Sequence, residues 1–339
     1  MEKRGTADAE FSALDCISAT YGITTAWLGH DPSVLGSEWG YHRRPDAVET
    51  EWPVEHLGIH RSTPEEILHA WHGTTTELRR HETPEKAGQY IHAQVRDGIP
   101  VIAWVDTFHV PHSSFHGQQH HAHRIVIRSR AEGEGEGTGG ADGDGGTVFR
   151  VVDRYQGSLY DGPLDARALS AAMSSDALGE ARRGDPDWRN RTVVVRAGHR
   201  PGEPDGERHR AALARNVRES GGTDLLTDCA DELRAAPDAF AALSPVGMIE
   251  VSAWFGELAS RRALNARFLR AAAGACALPA LLDRAADADA LSRRWEMTRN
   301  TFFLRFRKGA ATVVRIADLM TQTAVLEKEW NERVGAALG

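Results

Sequence analysis

A chain of 339 residues, 41% hydrophobic and 26% charged, is long enough for a substantial core and is expected to fold as two domains. Its formal net charge of −8 argues against the basic face that a general nucleic-acid binder uses to neutralise phosphates, so no nucleic acid is expected as a partner. The chain does not open on a basic segment followed by an apolar run, and no 18-residue apolar stretch occurs. No membrane partner is therefore expected, and the protein is predicted to be soluble, non-secreted and cytoplasmic.

Residues 1–10 are polar and are expected to fray. From Cys16 to Leu28 the sequence CISATYGITTAWL keeps Ile17, Ala19, Ile23, Ala26 and Trp27 on a mixed helical face, with Asp15 as N-cap. Cys16 then sits in the first turn of a buried helix. Gly29–Pro45 is a turn-rich loop whose Trp39 and Tyr41 are expected to line a cleft or pack over it. Thr63-Pro64-Glu65-Glu66 reads as an N-cap, a proline at the first helical position and an acidic first turn, opening a helix to about Leu78. Thr83-Pro84-Glu85 opens another through Val95. Asp97-Gly98 turns into a strand, Pro100–Val105, whose continuous apolar run VIAWV predicts burial on both faces.

Six of the sixteen histidines fall between His109 and His123. The next strand, His123–Arg128, alternates: His123, Ile125 and Ile127 share one face, Arg124, Val126 and Arg128 the other. Ala131–Gly146 is an acidic, glycine-rich run without the ligand spacing of a calcium loop and reads as a mobile hairpin loop. A strand resumes over Thr147–Val152 and ends at Asp153, followed by the turn Tyr155-Gln156-Gly157. A further strand, Arg191–Arg196, precedes a polar linker, Ala197–Arg208. The boundaries expected are therefore a catalytic α+β domain over 1–200 and a helical domain over 209–339. The latter reads as four or five helices punctuated by Pro237, Pro245 and Pro279, acting as a cap or as the dimerisation element of a homodimer. Trp254, Phe255, Trp295, Phe302 and Phe303 are expected in its core.

The three cysteines are far apart and form no CxxC, so neither a disulfide framework nor a zinc ribbon is supported. Cys229 and Cys276 lie in Ala- and Leu-rich helical sequence and read as small buried hydrophobes. Cys16 differs, because a helix N-terminus offers partial positive charge and free N–H groups that favour a thiolate and can hold an oxyanion. A nucleophilic Cys on the first core helix, a His at the start of a later strand and an Asp on the strand after it recur in papain-like cysteine enzymes. The thiolate attacks a carbonyl, the imidazole takes and returns a proton, and the carboxylate fixes its tautomer. Here the order is Cys16, His123, Asp153. His121 is the rival base, but His123 stands only one residue before the apolar run IVI, whose pairing would hold it rigid. A different reading builds a metal site from His109, His112, His116, His120 and His121. The His109/His112 spacing, however, lies on a loop and lacks the glutamate of a HExxH helix.

The stretches DCISATYG, GSEWGY, TPEEIL, PVIAWVDTFHVPH, HRIVI and FRVVDRYQG resemble the N-terminal domain of the butirosin-biosynthesis protein BtrH family. Thr298–Met320 resembles the helical domain that usually follows it. The resemblance implies a papain-like cysteine-enzyme fold, an N-terminal helix plus antiparallel sheet, followed by a mostly α-helical C-terminal domain. It implies acyl transfer from an acyl- or peptidyl-carrier-protein thioester to a small-molecule acceptor in specialised metabolism. The substrate would ride on phosphopantetheine, with no resident cofactor and no metal. Cys16 would be the nucleophile, His123 the base and Asp153 the orienting group. Asp106 matches a family motif and would support the site or bind a substrate amine. Trp39, Tyr41 and His121 are the remaining substrate-contact candidates. The family usually carries His immediately before the Cys, where this chain has Asp15. No upstream Gln supplies the papain-type oxyanion donor, leaving the Cys16 backbone N–H. A peptidase or thioesterase of the same architecture is the alternative.

Overall fold

The computed structural model describes residues 14–43, 57–59, 61–130, 147–155, 158–177, 188–198, 205–243, 245–304 and 309–339. The expectations for residues 1–10, the glycine run Ala131–Gly146, the Gln156-Gly157 turn and the middle of the 197–208 linker fall outside them. In chain order the elements are α1 (Cys16–Trp27), β1 (His42–Arg43), β2 (Leu57–Gly58), α2 (Pro64–His72), β3 (Thr75–Arg80), α3 (Pro84–Arg96), β4 (Val101–Asp106), β5 (Ala122–Arg130), β6 (Val148–Tyr155), β7 (Ser158–Asp165), α4 (Ala166–Ser174) and β8 (Arg191–Arg196). Six helices, rather than the four or five expected, follow among the described residues: α5 (Gly206–Glu219), α6 (Thr223–Ala235), α7 (Pro237–Ala241), α8 (Pro245–Ala275), α9 (Ala280–Phe303) and α10 (Ala310–Ala337). The class is α+β, as expected. No helix of the described residues is long and apolar enough to cross a membrane.

Two compact units emerge, one of them built from Cys16–Pro32 and His72–Arg200, the other from Ala13–Asp15, Ser33–Trp71 and Pro201–Gly339. The first holds a six-stranded antiparallel sheet in the order β3-β8-β4-β5-β6-β7. Every residue of β4 is buried, the outcome expected of VIAWV. Helix α3 begins where the sequence signals it: Thr83 Oγ1 accepts from the Lys86 backbone N–H and Pro84 sits in the first turn. Its buried Ala87, Ile91 and Val95 join Leu169, Ala172 and Met173 of α4 over Val101, Ala103, Val105, Ile125, Ile127 and Val151 of the sheet. Burying this apolar surface supplies the favourable term that orders the strands.

Three local expectations are corrected. The helix opened at Thr63 ends at His72 rather than near Leu78. Gly73 turns the chain at φ +64, a conformation glycine adopts without strain, and Thr75–Arg80 pairs along its whole length with Arg191–Arg196. Strand β7 and helix α4 follow β6, where only a turn was expected; Asp165 caps α4 by accepting from Arg167 and Ala168 N–H groups. Phe303 is about half exposed, whereas Trp254, Phe255, Trp295 and Phe302 are core residues of the helical unit.

In that second unit the 36–41 stretch is stitched to helices by a buried polar network. Arg262 of α8 donates through Nε to Glu327 of α10 (2.7 Å), through Nη1 to Asn265 Oδ1 (2.7 Å) and through Nη2 to the Tyr41 hydroxyl (3.0 Å). Asn265 Nδ2 donates to the Gly36 and Glu38 carbonyls, each at 2.9 Å, and Trp295 Nε1 donates to Glu327 Oε1. At Gly36 a Cβ would collide with the Leu264 carbonyl, so this close approach requires glycine.

Candidate active site

Helix α1 carries Cys16 at its first residue, half-buried, while Cys229 and Cys276 are buried. Cys276 Sγ donates to the Gly206 carbonyl, and burial pushes its thiol up, so it is not a competing nucleophile. Packed against α1 are β5, β6 and β4. His123 is the second residue of β5, opposite Val105 of β4; Asp153 lies on β6, opposite Tyr160 of β7. The β5–β6 register pairs Ile127 with Val151, so the two-residue period puts His123, Ile125, Ile127, Val151 and Asp153 on one face. A separation of thirty positions is thereby bridged by sheet pairing.

His123 Nε2 is 2.5 Å from Asp153 Oδ1, and both side chains are buried. His123 also hydrogen-bonds the Cys16 side chain. With Nε2 taken by the carboxylate, Nδ1 is the nitrogen left for the thiol. Asp153 Oδ2 is not idle either. His112 Nε2 lies 2.8 Å from it, and the His112 ring stacks on Tyr160 with centroids 3.7 Å apart and planes 6° apart. Burial by itself would lower the His123 pKa, but the Asp153 carboxylate beside it, which accepts from Nε2, and the hydrogen bond with Cys16 push it up to about 10. Burial opposes ionisation of Asp153 as well; the His123 charge and the hydrogen bonds from His112 and His123 nonetheless hold it well below the usual carboxylate range. A buried cation and anion thus stabilise one another next to Cys16.

Asp106 ends β4 fully buried, with both oxygens engaged. Oδ1 accepts from the Phe108 and His121 backbone N–H groups (3.1 and 3.2 Å); Oδ2 accepts from Ser175 Oγ (2.6 Å) and His120 Nδ1 (2.7 Å). Burial raises its pKa, but these donors outweigh it and the carboxyl is held low. Its surroundings suit the supporting role named for it: it closes the neck of the 107–121 loop, where the Thr107 N–H also bonds the His121 carbonyl. His121 stands just before β5 with its ring 6.1 Å from Phe115. Trp39 and Tyr41 lie inside the helical unit. Trp39 Nε1 donates to Asn331 and its ring packs on Trp330, while burial pushes the Tyr41 phenol well up.

His120, another member of the metal set, is spent differently from that reading. His120 stacks on Phe108 at 4.3 Å besides bonding Asp106, and among the described residues no three His, Cys, Asp or Glu side chains are grouped to hold a metal ion. His112 is the residue that sequence reasoning missed in this role. It stood out only as a member of the histidine cluster, because a loop residue has no periodicity to tell which neighbour it meets.

What the fold and site define is an α+β protein with a cysteine, a histidine and an aspartate aligned between the first helix and an antiparallel sheet. Residues 16–136 match the family described as Butirosin biosynthesis protein H, N-terminal, which bears out the resemblance to BtrH-like proteins over that stretch. The match starts at Cys16 and includes Asp106, His112 and His123; Asp153 lies beyond it. No curated protein is significantly similar to the chain.

Proposed function

We propose that the protein is a cysteine-dependent acyltransferase, or release and cyclisation enzyme, that takes an acyl or peptidyl group from a carrier-protein thioester. The observation that carries this reading is the continuous line from Cys16 through His123 to Asp153. The matched family's description, butirosin biosynthesis, supports a biosynthetic acyl-transfer role. Cys16 Sγ attacks the thioester carbonyl as a thiolate whose proton already rests on Nδ1 of the His123 imidazolium, and Asp153 keeps Nε2 protonated throughout. The C–S bond to the pantetheine then breaks, its sulfur leaves with the proton from His123, and the acyl group remains on Cys16. An amine or other acceptor attacks this thioester, passes its proton to His123 and frees the thiol. The α1 N-terminus, with the Cys16 backbone N–H first, is the electrostatic partner for the oxyanion of each addition. The resident protein groups suffice for each of these steps; the pantetheine arm belongs to the substrate.

The test is intact-protein mass spectrometry after incubation with a panel of acyl-carrier thioesters and a non-hydrolysable thioester mimic. The expected result is one acyl adduct on a Cys16 peptide, absent in Cys16→Ala together with turnover. Adducts on Cys229 or Cys276, or full turnover by Cys16→Ala, would refute the reading. Cleavage of free peptides with no need for a carrier would replace the transferase with a peptidase.

A further inference from the structure

The catalytic line described above does not end at Asp153. A carboxylate held at one oxygen can rock about its hydrogen bond, and a fully buried one leaves its second oxygen costly to abandon. In this site the second oxygen is taken. His112 Nε2 reaches Asp153 Oδ2 at 2.8 Å while His123 Nε2 reaches Oδ1 at 2.5 Å. The two contacts fix the carboxylate plane.

His112 is itself held from behind. Its ring lies flat on Tyr160, 6° from parallel, and Tyr160 stands directly opposite Asp153 in the β6–β7 ladder. The Tyr160 hydroxyl donates to the Pro163 carbonyl at 2.7 Å, which tethers the stacking ring within β7. The 110–113 backbone is a tight turn, with the Ser113 N–H bonded to the Val110 carbonyl and Val110 buried in the sheet core. Strand pairing, a ring stack and a turn therefore converge on one nitrogen.

We infer that His112 is a positioning residue for the acyl-transfer reaction, its Nε2–H setting the plane and charge of Asp153 and, through it, the aim of His123 at Cys16. Tyr160 serves as the platform that holds His112 in place. This inference rests on the cysteine-enzyme reading for its kinetic consequence but not for its structural one. A second donor spreads the carboxylate charge over two partners, so its removal leaves the whole charge facing His123. Outer partners of this kind typically matter by about 10- to 100-fold where they orient a functional histidine.

Two substitutions separate the donor from the stack. His112→Phe keeps a ring for Tyr160 and loses the donor; His112→Gln keeps a donor and loses the ring. Imidazole 15N NMR follows the His123 titration without any substrate, and steady-state kinetics on the acyl-carrier thioester gives kcat and KM. His112→Phe is expected to raise the His123 titration midpoint by about half a unit or more. It should also lower kcat on the order of 10-fold at unchanged KM. His112→Gln should leave the midpoint near the wild-type value and recover most of kcat. A His123 midpoint identical in wild type and His112→Phe overturns the inference, as does a His112→Gln midpoint displaced as far as that of His112→Phe. Because the NMR arm needs no turnover, it stands or falls separately from the identity of the substrate.

Discussion

Asp153→Asn is the sharpest perturbation of this site, because it keeps the shape and removes the charge. The carboxylate accepts from both His123 and His112. An amide has one acceptor oxygen and one donating nitrogen, so it can accept from only one of the two rings. If the amide nitrogen faces His123, the imidazole must present Nε2 as acceptor and carry its proton on Nδ1, the tautomer that cannot receive the Cys16 proton. The corresponding loss in a Ser-His-Asp enzyme is about 10⁴-fold in kcat, and a comparable fall is expected here. Removing one partner of a buried ion pair costs about 3–5 kcal/mol, and an isosteric amide should fall near the lower end. The pH dependence of stability gives an independent reading. His123 is raised in the folded state to about 10, so its contribution is complete below its unfolded value of about 6.5 and is lost as pH rises toward 10. Asp153 is depressed, so its contribution is complete above about 3.8 and is lost as pH falls. Wild-type stability should therefore decline between about pH 6.5 and 10 through His123. In Asp153→Asn this decline should shrink sharply, because burial then works against the imidazolium with only the Cys16 contact opposing it. Urea unfolding at closely spaced pH values, beside single-turnover acylation of Cys16, measures both. An Asn variant that keeps the alkaline decline and acylates within a few-fold of wild type would refute the reasoning.

Two further predictions concern the scaffold. Asp106→Ala leaves Ser175 Oγ and two backbone N–H groups of the 107–121 loop without their acceptor, so a loss of about 2–4 kcal/mol in urea unfolding is expected. Hydrogen exchange at Phe108 and His121 should rise with it, and a neutral result would show that the loop neck does not depend on this carboxylate. Glu327→Ala strands the buried Arg262 guanidinium and the Trp295 N–H, and should cost about 3–5 kcal/mol without altering the His123 titration. A stability change under about 1 kcal/mol would mean that water or a neighbouring acceptor takes over the Arg262 charge.

Much of the fold was legible because its signals are local. Proline at the first helical position with a threonine cap marks the starts of α2 and α3, and an unbroken apolar run marks β4 as a central strand. The end of α2 was harder to read, since TTELRR follows the helix without an evident break and becomes a strand only because RTVVVR, more than a hundred residues later, lies beside it. The two-residue period of β5 likewise placed His123 on a definite face, but its proximity to Asp153 depends on the β5–β6 register.

By itself, then, the sequence determined the class, the starts of α1, α2 and α3 and the order in which Cys16, His123 and Asp153 occur, for these follow from residue type and short-range spacing. Tertiary structure alone decided what the loops do. Trp39 and Tyr41, in a stretch read as a cleft-lining loop, are fastened to Asn331 and Arg262 of the helical unit. Within a histidine cluster that looked uniform along the chain, His120 is committed to Asp106 and His112 to Asp153. A loop carries no repeat from which orientation can be read, and the carboxylates that select among its side chains are placed by the sheet, Asp106 at the end of β4 and Asp153 on β6.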